Sequence, residues 1–164
     1  MQYKFTQHKG TMMYKLPADP YVYIAAPFFN EAQLERLEAV KSALNTIKIK
    51  YFSPKDESLY EPGKTTPLEI LNLNVNALRS CDLLVCITDD RDPGTFFEAG
   101  WCFASTIPIV YIWFDGKKGQ KFNLMLGASG SVVRNTETLM KVVETAAIQG
   151  FIEDETYGEA IDYE

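Results

Sequence analysis

The chain has 164 residues and a formal charge of −6, from 16 Lys and Arg against 22 Asp and Glu. Hydrophobic residues make up 46% and aromatics 13%, which supports one buried core, excludes disorder and leaves little room for two domains. An acidic balance without a Lys/Arg cluster argues against nucleic acid and anionic membrane as partners. No apolar run approaches the ~20 residues of a bilayer span.

Residue types narrow the chemistry further. Cys81, Cys86 and Cys102 lie in apolar runs without CxxC spacing, so they are expected to be buried free thiols in a reducing cytoplasm. His8 is the only histidine and belongs to a polar leader that lacks the apolar stretch of a signal peptide. Ser-His-Asp and Cys-His catalysis and most zinc sites are thereby removed. Carboxylates, Tyr, Asn, Lys or the backbone must carry any reaction.

In chain order, residues 1–19 show no period and are expected to form an extension, followed by a single domain over 20–164 with an acidic tail. Residues 21–26 form an apolar run stopped by Pro27, expected as a buried first strand. Asn30 and Gln33 have capping-box spacing, and Leu34, Leu37, Val40 and Leu44 give the helix that follows one apolar face. Residues 47–52 alternate with lysines as a peripheral strand, and 53–64 form a polar loop. Thr66, Pro67 and Glu69 mark a helix start, with Leu68, Leu71, Val75 and Leu78 as its expected buried face. Residues 82–88 are a third strand, 95–105 a helix and 107–114 a fourth strand. A short strand near Val132 and a helix over 136–148 close the domain.

Nearly all-apolar strands alternating with helices imply a sheet covered on both faces. The expected fold is a three-layer, doubly wound α/β domain of the Rossmann or flavodoxin-like kind, with a mostly parallel sheet of about five strands. Such sheets place sites at the carboxyl ends of strands. No GxGxxG and no GxxxxGK[ST] stands there, which argues against dinucleotide and P-loop sites. The densest candidate is the segment 89–100, Asp-Asp-Arg-Asp-Pro-Gly-Thr-Phe-Phe-Glu-Ala-Gly. One reading is structural: Thr95 and Glu98 as a capping box behind a solvated acidic loop. The other takes Glu98 as a carboxylate kept ionised in the first helical turn by the helix macrodipole, suited to act as a nucleophile in retaining glycosyl transfer. Gly94 and Gly100 would let a sugar approach the backbone.

The run Tyr23-Ile24-Ala25-Ala26-Pro27-Phe28-Phe29-Asn30, with Gln33 and Arg36 after it, resembles the opening of the nucleoside 2-deoxyribosyltransferases. Asp92-Pro93-Gly94-Thr95 followed by Glu98-Ala99-Gly100 is similar to that family's D-x-G-T-x-x-E-x-G signature, and Phe122-Asn123-Leu124-Met125 resembles its third element. The resemblance implies base exchange on 2′-deoxyribonucleosides in nucleoside salvage, through a covalent deoxyribosyl intermediate on Glu98. It further implies that Tyr23 orients Glu98 and that Asp92 accepts from the sugar 5′-hydroxyl. Phe29 would stack on the base, and Asn123, with Met125 beside it, would come from a neighbouring subunit of a homo-oligomer, a dimer or a trimer of dimers. The partners implied are deoxyribonucleosides and free bases, with no cofactor and no metal. Two positions depart from the family's pattern, Asn74 for its usual Asp and Ser58 for its usual Gln, both at the base-facing end. An Asn cannot supply the proton that an Asp would give the departing base. Asn74 is expected to face the cleft or solvent. Two alternatives stay open: a deoxynucleoside N-glycoside hydrolase of the same fold, and a nucleoside-binding pseudoenzyme without turnover.

Overall fold

The computed structural model describes residues 7–8, 11–117, 120–153 and 162–164. The elements are β1 (Gln7–His8), β2 (Thr11–Lys15), β3 (Val22–Ala25), α1 (Glu31–Thr46), β4 (Tyr51–Phe52), α2 (Pro54–Glu57), α3 (Pro67–Ser80) and β5 (Leu83–Ile87). After them come α4 (Pro93–Ala104), β6 (Ile109–Ile112), β7 (Lys121–Phe122), α5 (Leu124–Gly127), β8 (Ser131–Val133), α6 (Thr136–Gln149), β9 (Phe151–Glu153) and β10 (Asp162–Tyr163).

The central sheet runs β4-β3-β5-β6-β8, and every neighbouring pair is parallel. Counting only these strands along the chain gives the order 2-1-3-4-5, which reverses between β3 and β5. The α/β expectation holds, and its physical basis is visible in the strands: β3, β5, β6 and β8 are buried at every residue. On one face Val22, Ile24, Val85, Val110 and Ile112 meet Leu37, Val40 and Leu44 of α1 and Leu139 and Val143 of α6. On the other face the alternate residues Tyr23, Ala25, Leu84, Cys86 and Tyr111 meet Leu78 of α3 and Ala99 and Cys102 of α4.

Several expected boundaries move for local reasons. The second strand is only Tyr51–Phe52, because α1 continues to Thr46 and Lys48 then takes φ +59, with the Ile49 N–H donating to the Leu44 carbonyl at 2.9 Å. The loop after it contains one helical turn, opened by Pro54. Helix α3 starts with the expected capping box, Thr66 Oγ1 accepting from the Glu69 N–H and Glu69 Oε2 from the Thr66 N–H. Its expected buried face is not buried, however. Only Leu78 is covered, while Leu68 and Leu71 are 64% and 44% exposed, because within one chain only the last turn of α3 meets the sheet.

The extension expected over residues 1–19 joins the domain from Thr11 to Leu16. Strand β2 pairs antiparallel with β9, and Tyr14 and Leu16 are buried in the core. Gly150, at φ +78, ends α6 in the left-handed conformation and turns the chain into β9. Of the acidic tail, β10 pairs parallel with β7; Tyr157 lies outside the described residues. Among the described residues no helix is long and apolar enough to cross a membrane.

Candidate active site

The reversal of strand order between β3 and β5 is where doubly wound sheets open a crevice. Tyr23 stands on β3, fully buried, and its hydroxyl donates to Glu98 Oε1 at 2.5 Å. Helix α4 brings Glu98 there, but its start differs from the expectation. The cap is Asp92, whose Oδ2 accepts from the Thr95 N–H at 2.8 Å and from the Thr95 hydroxyl at 3.0 Å. The expected Thr95–Glu98 capping box is therefore absent, and Glu98 falls in the second turn of α4 instead of the first. The macrodipole does not keep Glu98 ionised as expected. Burial dominates and raises its pKa from 4.5 to about 7, opposed by the Tyr23 hydrogen bond and reinforced by the Asp92 charge. Burial, then the nearby Glu98 charge, pushes the Tyr23 phenol far above its ordinary range, so it remains a donor. The arrangement is a carboxyl group with one oxygen fixed, the other without a partner among the described residues, and a pKa raised to about 7.

Next to this pair, the Phe52 ring stacks on Tyr23 with centroids 5.2 Å apart. Beyond Phe52 the chain turns through α2 to Ser58, which is buried, and Ser58 Oγ lies 2.5 Å from Asn74 Oδ1 on α3. The two residues that depart from the family pattern thus touch each other. Phe29, at the carboxyl end of β3, is 73% exposed on the rim, its ring 5.1 Å from that of Phe28.

A polar network beneath the rim was not legible as such in the sequence. Gln33 accepts from the Phe29 N–H at 2.7 Å and donates to Asp90 Oδ2 at 3.1 Å, which Arg36 also reaches at 3.0 Å before continuing to Asp115. Gln33 therefore reaches past its expected capping-box partner, although Asn30 does accept from the Gln33 N–H. Asp89 accepts from the Phe114 and Asp115 N–H groups. Burial raises the pKa of its carboxyl against the pull of those two donors. Together these bonds hold the turn in which Asp90 and Arg91 take φ +67 and +52 before Asp92. The usable signal was the three-residue spacing of Gln33 and Arg36, which puts both on one helix face.

Asn123 and Met125 are placed elsewhere in the protomer. Asn123 caps α5, its Oδ1 accepting from the Leu126 N–H at 3.2 Å. It lines a cavity of about 230 Å³ with Thr88, Arg91, Phe96, Trp113 and Lys121. Glu164 lines the same cavity, 3.6 Å from Arg91, so the end of the acidic tail closes one side of it. Met125 is 73% exposed over an apolar groove lined by Phe96, Gly100, Phe103 and Tyr111. Gly100, expected to admit a sugar, opens onto that groove, and Glu98 lines neither cavity.

A doubly wound α/β domain with a tyrosine-held carboxyl at its switch point places a titratable group where such sheets bind ligands. The model of the family "Nucleoside 2-deoxyribosyltransferase" matches residues 22–126, and the chain belongs to that family. That span includes Tyr23, Ser58, Asn74, Asp92, Glu98, Asn123 and Met125. Solved structures share the fold. One is a 2-deoxyribosyltransferase of the psychrotolerant bacterium Bacillus psychrosaccharolyticus, 21% identical over 73% of this chain and 90% of that one, with a TM-score of 0.63. Another is a conserved protein of Enterococcus faecalis V583, 21% identical over 77% and 98%, with a TM-score of 0.65. The CMP N-glycosidase of Clostridium botulinum is 17% identical over 76% and 98%, with a TM-score of 0.53. Family and fold support a nucleoside-modifying enzyme, a transferase or an N-glycosidase.

Proposed function

We propose that the protein exchanges the base of a 2′-deoxyribonucleoside by double displacement, with Glu98 as nucleophile. The observation that carries this reading is the 2.5 Å bond from the buried Tyr23 hydroxyl to Glu98 at the switch point. Ionised Glu98 attacks C1′ with its free oxygen, and the electron pair of the glycosidic bond leaves with the base. A second base then attacks C1′ from the opposite face and frees the carboxylate, so configuration is retained overall. Tyr23 holds the other oxygen and positions the attacking one.

Asp92 spends Oδ2 on Thr95, while Oδ1 has no partner among the described residues and is free to accept from a sugar 5′-hydroxyl. The same carboxylate repels a phosphate, which favours nucleosides over nucleotides. Phe29 supplies an exposed ring for the base, with Asn74 and Ser58 beyond it. Asn123 and Met125 complete the sugar site of a neighbouring copy. Exposed Phe97, Phe103, Leu124 and Met125 support such a homo-oligomer, because apolar surface of this kind calls for a partner. The reaction requires neither metal nor organic cofactor. Buried, unpaired Cys81, Cys86 and Cys102 accord with a role in cytoplasmic nucleoside salvage.

Asn74 in place of a proton donor favours a second reading, hydrolysis, in which water replaces the incoming base. One incubation with deoxyinosine and adenine, followed by chromatography, separates the two. Deoxyadenosine is the expected product. Hypoxanthine with free deoxyribose instead means a hydrolase, and an unchanged mixture with measurable binding overturns catalysis; pyrimidine pairs extend the test.

A further inference from the structure

Ser58 and Asn74 stand on different elements and meet at the carboxyl edge of the sheet, on the β4 side of Tyr23. Ser58 is 5% exposed, and its single hydroxyl proton has two acceptors in range, Asn74 Oδ1 at 2.5 Å and the Pro54 carbonyl at 3.3 Å. Ser58 Oγ donates to Asn74 Oδ1, so the hydroxyl faces the oxygen end of the amide. Asn74 Oδ1 is thereby turned toward Ser58. Asn74 Nδ2, with no partner among the described residues, is left to present two N–H donors.

We propose that the Ser58–Asn74 pair selects oxo bases over amino bases, as a donor-only recognition edge that assists departure without transferring a proton. The inference rests on the nucleoside reading above. With the sugar 5′ end toward Asp92 on the β5 side, the base extends across Tyr23 toward β4, where the pair stands. An Asn that offered both amide atoms would bind an adenine edge in two-point fashion, accepting from its amino group and donating to its ring nitrogen. With the oxygen directed at Ser58, only the donating half of that match remains. The carbonyl oxygen at position 6 of hypoxanthine, or at position 4 of uracil or thymine, is an acceptor and fits those donors, where adenine and cytosine carry an amino group instead. In the first displacement the C1′–N bond breaks, its electron pair goes to the base, and the negative charge spreads onto the carbonyl oxygen. Two N–H donors stabilise that charge, and the base takes its proton from water on release. Adenine and cytosine place an amino group at that position, so no charge-bearing oxygen meets the donors there, and an amide cannot protonate the base to compensate.

The test compares kcat/KM for base release from deoxyinosine and deoxyuridine against deoxyadenosine and deoxycytidine, with melting temperature recorded for each variant. Wild type is expected to favour the oxo bases by about tenfold or more. N74D, nearly isosteric, is expected to lower that ratio about tenfold, with the gain for amino bases confined to the acid side where the new carboxyl carries a proton. S58A is expected to lower the ratio several-fold by releasing the amide. If both variants scale all four substrates equally, or shift only the melting temperature, the pair is a structural tie and the proposal is overturned. An active wild type that prefers amino bases overturns it as well, leaving the parent reading intact. A wild type inert toward all four substrates, with no sugar adduct on Glu98, overturns the parent reading and this inference together.

Discussion

The two faces of the central sheet are built from the same strands by alternation, yet they end differently. The face under α1 and α6 is closed by the chain itself: Leu37, Val40, Leu44, Leu139 and Val143 are all at most 1% exposed. The face under α3 and α4 carries Tyr23, Glu98, Ser58 and Asn74, and beside them exposed Leu68, Leu71, Phe97 and Phe103. Polar groups on that face displace apolar packing, and three buried cysteines fill the rest with small side chains. One face is thus a scaffold whose stability is internal, and the other trades closure for a site. In the proposed homo-oligomer, a second copy would complete both the packing and the pocket of that second face.

The strongest way to break this division is at Glu98. We predict that Glu98→Ala abolishes base exchange, by about 10³-fold or more, while the far-ultraviolet spectrum and melting stay native-like, because the closed face is untouched. A 2′-fluoro-arabino nucleoside should leave a sugar-sized mass on the peptide containing Glu98. An adduct on another peptide, or more than a few per cent of residual exchange, removes the nucleophile assignment.

Cavities made on the two faces should differ as sharply. Leu44→Ala opens a void under α1 and is expected to cost about 2–5 kcal/mol in denaturant titration. Leu71→Ala on α3, half-exposed in one chain, should cost under about 1 kcal/mol in the monomer and weaken association instead. Equal costs would mean that α3 is docked by its own chain as firmly as α1.

Mixed oligomers sharpen the comparison next. Glu98→Ala and Asn123→Ala should each be poorly active alone. Exchanged into one dimer, they leave one pocket with both native residues and one with neither. Random mixing makes about half the dimers mixed, so activity should approach about a quarter of wild type. A mixture no better than the mean of the two variants, with subunit exchange verified, assigns Asn123 to its own protomer or to no site.

How far the sequence carries follows the same division. The apolar period of α1 and the uniform strands named the closed face residue by residue, because burial there is settled by local pattern alone. The same logic applied to Leu68 and Leu71 pointed to a buried stripe that one chain does not cover, since pattern reports amphipathicity and not the partner. At the site, Tyr23 and Glu98 were legible through motif resemblance. Their 2.5 Å bond and the direction of the Glu98 shift were not, because both depend on where α4 begins. Asp92 takes the cap that Thr95 was expected to fill, and three residues of difference move Glu98 from the first turn into the second. The Arg36–Asp90–Gln33 network joins segments more than 50 residues apart, beyond the reach of any local period.

The smallest predicted effect ties stability and activity to one proton. Glu98 has a folded-state pKa of about 7 against an ordinary 4.5, so the folded protein holds this proton more tightly than the unfolded chain. Between those two values the folded state carries a proton that the unfolded state has lost. Stability therefore falls as pH rises from about 4.5 to about 7 and is level above that range as far as this group is concerned. Activity runs the opposite way, because the attacking carboxylate must be ionised: the rate should climb with pH to a plateau above about 7. Glu98→Gln removes the titration and keeps a neutral acceptor for Tyr23. It should match wild type in stability near pH 4.5 and exceed it by a margin that grows up to about pH 7 and holds above that, because the charge-assisted Tyr23 bond is already part of the shifted pKa. Chemical denaturation of both proteins across that range, beside the pH profile of base exchange, reads the two limbs independently. An acid limb of activity centred near 4.5, or a stability difference that does not grow with pH, would show that the carboxyl is solvated and that the buried face is more open than its Tyr23 bond implies.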